Sequence, residues 1–195
     1  MIRSNKNFLY IMSLLLIVVG VILSNREAEI IYYQADYAID IYNQKEVIGY
    51  NDYLFVAYIK KEVDTVYRNV VEVDNGREVG NPFTQYSITV IENIKGDLKK
   101  NKPIILEKNA GVSKDHKYLE LEAGDSMLKV GQYYIISASA EPDGRLVLGL
   151  PTGDMKLSIS SKSELDSSEI VIDIKEDYRH EIKFERQRFK SKYEE

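Results

Sequence analysis

The 195-residue sequence contains no cysteine and no tryptophan, and only four prolines and two histidines. Without cysteine there are no disulfides, no thiolate nucleophile, no iron–sulfur cluster, no cysteine-ligated zinc and no lipid-modified N-terminal cysteine. With two histidines, a zinc site has to be completed by carboxylates. His180-Glu181 begins like a zinc-hydrolase helix, but Phe184 stands where the second histidine is needed. There is no Gly-x-Ser-x-Gly elbow, and Gly76, Gly80, Gly96, Gly111, Gly124 and Gly131 are dispersed as turn residues rather than gathered into a phosphate-binding loop. Positive charge is also scarce. The net charge is −5, and beyond residue 26 there are 23 basic against 31 acidic residues, a net of −8. Such a surface repels phosphate backbones, so nucleic acid is not an expected partner. No cofactor is implied by any motif.

What the sequence does have is an uncharged run of sixteen residues from Phe8 to Leu23, carried by Phe8, Leu9, Leu14, Leu15, Leu16, Ile17 and Leu23. As a helix it spans about 24 Å, slightly short of a hydrocarbon core of roughly 30 Å. Asn7 and Ser24 extend it, and Lys6 and Arg26 can reach the two interfaces. Its exit, Val21 to Arg26, offers no good pair of small residues for signal cleavage. The expectation is therefore an uncleaved transmembrane anchor over 8–25, with secretion as the alternative if it is cut. Arg3 and Lys6 precede it, whereas Arg26 is offset by Glu27 and Glu29, which places residues 1–7 in the cytoplasm and the C-terminal part outside. On this reading the protein sits in the cell membrane as a single-pass protein, with the lipid bilayer as a partner through the N-terminal helix.

Residues 26–49 form a juxtamembrane segment whose pattern fits either helix or strand. From residue 50 the pattern is that of strands: Tyr53–Lys60, Val66–Val73, Tyr86–Ile91, Ile104–Glu107, Tyr118–Leu121, Gln132–Ser137, Arg145–Leu150 and Met155–Ile159. Turns are expected at Asp74-Asn75-Gly76, Lys95-Gly96-Asp97, Pro142-Asp143-Gly144 and Pro151 to Asp154, with a break at Gly80-Asn81-Pro82. Short strands so punctuated indicate a mainly β domain over 50–160, a barrel or sandwich rather than βαβ units. Residues 161–195 read as a serine-containing linker and a charged tail. Glu169–Ile174 alternates and can add an edge strand. Tyr178, Ile182, Phe189 and Tyr193 share one helical face, so a short amphipathic helix is expected over the tail.

The runs Asp52–Ile59 and Tyr86–Ile91, the Lys95-Gly96 turn and Gly131-Gln132-Tyr133-Tyr134-Ile135 resemble the domain shared by netrins and tissue inhibitors of metalloproteinases, and small exported proteins of Gram-positive bacteria. The resemblance implies an OB-like β-barrel with terminal helices and a tendency to bind protein or polysaccharide. The eukaryotic inhibitors act through an N-terminal cysteine, and no residue here can take that role.

Glu120 and Glu122 face the same side of a strand, with Tyr118, Asp115 and His116 before them and Asp125 after. Paired carboxylates can do acid–base work or hold calcium, but the calcium-loop spacing is absent and an exposed sheet face is the ordinary reading. The function expected from the sequence is an extracytoplasmic binding module, with Tyr118, Glu120, Glu122, Asp125 and His116 as binding residues and no catalytic residue or metal ligand. Its expected partner is a cell-surface protein or polysaccharide. A tyrosine-rich contact surface draws on Tyr53, Tyr58, Tyr67, Tyr86, Tyr118, Tyr133 and Tyr134. Two alternatives stand beside it: a protease-inhibitor-like or immunity protein, and an enzyme or enzyme subunit built on His116, Glu120 and Glu122.

Overall fold

The computed structural model describes residues 28–73, 76–100, 102–159 and 161–195. In chain order the elements are β1 (Glu29–Tyr33), α1 (Gln44–Tyr50), β2 (Tyr53–Val73), β3 (Arg77–Lys95), β4 (Ile104–Lys108), β5 (Gly111–Val112), β6 (Tyr118–Glu122), β7 (Tyr133–Ala140), β8 (Leu146–Leu148), β9 (Asp154–Leu157), a 3-10 helix (Lys162–Ser167) and α2 (Glu169–Arg179).

Strand periodicity divides the apolar residues between two cores. Tyr53, Phe55, Ala57 and Ile59 of β2 join Tyr86, Ile88 and Val90 of β3 and Tyr134, Ile136 and Ala138 of β7 on one face. Leu54, Val56 and Ile135 point the other way, against Ile48 of α1 and Val171 and Ile174 of α2. Both faces of the central strands are therefore covered, which is why Tyr53–Ala57 reads as an unbroken apolar run. Asn43 caps α1 by accepting a hydrogen bond from the Lys45 N–H. Gly49 lets α1 approach the backbone at Ile182, where a Cβ would sit 1.8 Å from the carbonyl oxygen.

The large sheet has the order β2-β3-β4-β8-β7-β9, antiparallel except for the parallel β4–β8 pair. A smaller sheet, β1-β6-β5, is separate, with β1 parallel to β6. The pairing of β2 with β7 over Tyr53–Tyr58 curls the large sheet back towards itself. The circuit depends on the three-residue β8, which gives two residue pairs to β7 and three to β4. No continuous wall results, β9 takes the other part of the β7 edge, and the smaller sheet lies outside. The expected OB-like barrel is corrected to a mixed sheet-and-helix fold.

The expected anchor over 8–25 lies outside the described residues. Among the described residues no helix is long and apolar enough to cross a membrane. The single-pass placement, the bilayer as partner and the extracytoplasmic location are corrected accordingly: nothing in the described structure supports them, and none enters the functional reading below.

Two local expectations are also corrected. Gly80-Asn81-Pro82 does not break the chain, because β3 runs through it as one arm of a long hairpin. Pro82 is tolerated there because β4 starts pairing only at Thr84, leaving the N–H that proline lacks with no ladder to serve. At the C-terminus, helix α2 occupies the stretch read as an edge strand, and the helix expected over the tail stops at Arg179. Residues 181–195 run across the large sheet as a non-helical strap that ends in a turn at 191–194, held at Lys45, Tyr50, Asp52, Gly144 and Asp97.

Candidate functional site

The outer half of the β2–β3 hairpin and the smaller sheet face each other, and short contacts fix the gap between them. Thr84 Oγ1 donates to the Ala110 carbonyl at 2.7 Å and Tyr67 Oη to that of Val112 at 3.1 Å. Gly111 permits this approach, since a Cβ there would lie 2.7 Å from Thr84 Oγ1. From the opposite wall Tyr33 Oη reaches the Asn109 carbonyl at 3.3 Å. What remains open is a cavity of about 400 Å3, with Ile31, Tyr33, Pro82 and Ala110 as apolar walls and Asn81, Asn109 and Glu120 as polar lining. A second hollow of about 170 Å3 adjoins it at Gly80, bordered by Glu78, Ser113, Lys114 and Tyr118, and Glu120 lines both. The two make one groove with Glu120 at its middle.

Strand β6 supplies the groove's charge. Glu120 has no ion pair or side-chain hydrogen bond among the described residues. Burial pushes its pKa up, and the neighbouring Asp115 adds to the effect. Lys114 is paired with Glu78 and Lys117 with Asp115, so neither neutralises it. Glu122, two residues on and buried, takes the hydroxyl of Tyr37 as its partner. Burial, then Glu122, Asp125 and Glu120, push the Tyr33 phenol up to about 12, so it remains a hydrogen-bond donor. Asp125 is engaged elsewhere: buried Lys108 Nζ bridges Asp125 and Asp154 at 2.7 and 2.8 Å.

The structure thus separates the five residues singled out from the sequence. Glu120 and Tyr118 line the groove. Glu122 and Asp125 line neither hollow and are engaged by Tyr37 and Lys108. His116 lies in the exposed turn before β6 with φ 59° and lines neither hollow. The three side chains of the enzyme alternative therefore share no pocket, and that alternative loses its base. Among the described residues no group of three or more histidine, aspartate or glutamate side chains is placed to hold a metal ion. The tyrosine surface is also divided: Tyr53, Tyr86 and Tyr134 are core, and Tyr58, Tyr67, Tyr118 and Tyr133 are half-buried.

Sequence reasoning missed Tyr33, Asn81, Pro82 and Asn109, which carry no local signal of a site. Lys108 was detectable, because it continues the alternation of buried Ile104 and Leu106 and so had to be a buried cation. No family model matches the chain, and no curated protein matches it.

Proposed function

We propose that this chain is a binding protein without catalytic activity, and that its ligand lies in the groove between the β2–β3 hairpin and the smaller sheet. The observation that carries this reading is Glu120: a carboxylate with no partner among the described residues, on the wall of a cleft of about 400 Å3 that is otherwise mostly apolar. Such a cleft, with few polar groups in apolar walls, has the size and character of a small-molecule or side-chain pocket. Catalysis is disfavoured because the other carboxylates lining the groove are already engaged, Glu78 by Lys114 and Asp115 by Ser113 and Lys117. Tyr118 and Glu120 are the proposed binding residues, while Glu122 and Asp125 are held by Tyr37 and Lys108 outside the groove.

The test uses the full chain labelled with 3-fluorotyrosine and a set of small amines, amides and carboxylic acids followed by 19F NMR. At least one class should move the Tyr33 and Tyr118 resonances, assigned by Tyr33→Phe and Tyr118→Phe. Glu120→Trp, which fills the groove, should abolish the response while the core signals of Tyr53 and Tyr86 stay in place. If no class moves them, or the response survives in Glu120→Trp, the groove is not a binding site.

A further inference from the structure

Among the described residues most of the deeply buried carboxylates have cations of their own. Glu107 is paired with Arg68 and Arg145, Asp52 with Arg186 and Arg188, Asp125 and Asp154 with Lys108, and Glu181 with Lys95. Glu122 is satisfied by the Tyr37 hydroxyl instead. Glu120 has neither. It stands beside Glu122 on one face of β6, with Asp115 close enough to disfavour its charge further, so this wall carries uncompensated negative charge. Arg77, at the outer end of the smaller hollow, makes no ion pair with it.

We propose that the group bound in the groove is an ammonium or guanidinium carried on a short apolar stem. This rests on the binding reading above and names the chemistry of its ligand. The cation would supply a partner for Glu120, and a charge-assisted hydrogen bond in a partly buried cleft is stronger than one at an open surface. The stem fits the apolar wall formed by Ile31 and Pro82, and Tyr33 is the aromatic side chain of the lining. The side-chain oxygens of Asn81 and Asn109 are further acceptors that hydrogen-bond to no described residue. An anionic ligand is opposed by the same wall and by the net negative charge of the chain.

Two sources share this chemistry, a free amine such as agmatine and an arginine side chain in a peptide, and the test separates them. Agmatine, a nine-residue glycine–alanine peptide with one central arginine, and the same peptide with neutral citrulline are titrated into the full chain. Affinity is read from the Tyr33 and Tyr118 fluorine signals. The arginine peptide should bind at least tenfold more tightly than the citrulline peptide, and Glu120→Gln should remove that difference with the Tyr53 and Tyr86 signals unchanged. An arginine peptide much tighter than agmatine identifies a protein source, and equal affinities identify a free amine. Equal binding of arginine and citrulline peptides, or a preference that survives in Glu120→Gln, overturns the inference. Groove signals that move with neutral or acidic compounds alone do so as well, while leaving the binding reading intact. Signals that move with nothing end both.

Discussion

Glu107 shows how single residues pin the groove's supporting wall. Its side chain, 3% exposed, accepts hydrogen bonds from Arg68 at 2.7 Å, Arg145 at 2.9 Å and Gln85 at 2.8 Å. Burial on its own would push the pKa up, but the hydrogen bonds from Gln85, Arg145 and Arg68 outweigh it and hold the carboxyl below its ordinary 4.5. A carboxylate whose folded pKa is depressed contributes stability that is complete above the unfolded value and is lost as pH falls through the folded one. Denaturant midpoints of the wild type should therefore drop more steeply below pH 4.5 than those of Glu107→Gln. At neutral pH the substitution should cost about 2–3 kcal/mol, less than the ~3–5 of a fully buried pair. The reason is that Arg68 and Arg145 keep 34% and 22% of their side chains in solvent. At this scale the sequence is informative where periodicity speaks: β6 puts Glu120 and Glu122 on one face, and Lys108 follows two core residues. It is silent on which acids find cations, because the partners lie 22 to 39 residues away for Glu107 alone.

Strands and turns were largely legible as elements because alternation and glycine-bearing turns are local signals. Gly96, with φ 78°, ends β3 against the Tyr53 ring, and a Cβ there would lie 2.4 Å from the ring carbon Cδ1. Gly96→Ala meets both an unfavourable backbone region and a rigid core side chain, so it should destabilise by more than about 2 kcal/mol in thermal or chemical unfolding. The strap was not legible. The spacing of Tyr178, Ile182, Phe189 and Tyr193 suits a helix, yet Arg186 and Arg188, two apart, both reach Asp52 Oδ1, at 2.7 and 2.8 Å. That is strand spacing, and it is imposed by distant acceptors, the carbonyls of Gly49, Tyr50 and Asn51 among them. Replacing both arginines with alanine should raise hydrogen exchange over residues 186–194 at least tenfold while β7 stays protected. Unchanged exchange would show that the strap is held by its apolar anchors, Phe189 and Tyr193, alone.

At the scale of the whole molecule, the groove exists only because strands distant in sequence, β1 and β6 of the smaller sheet, are set against the β2–β3 hairpin. Ile31 and Tyr33 come from β1, Asn81 and Pro82 from β3, Asn109 and Ala110 from the link to β5, and Glu120 from β6. Local reading found one wall and took the other, at Gly80-Asn81-Pro82, for a break, since nothing in a proline-containing strand announces what lies opposite it. The binding prediction belongs here, because no isolated element holds more than a fraction of the lining.

The strap also has a consequence for the order in which the chain is made. Tyr53 Oη accepts from the Ser191 N–H and donates to Glu194, partners 138 and 141 residues further along. At ~5–20 residues per second, a ribosome takes roughly 7–28 s to pass from one to the other. Until those residues are made, the first core strand keeps its buried hydroxyl unpaired and the seat of Phe189 and Tyr193 empty. Nascent chains of this protein must therefore wait, partly uncovered, for residues 189–194, and the delay is a window in which chaperones have a surface to hold.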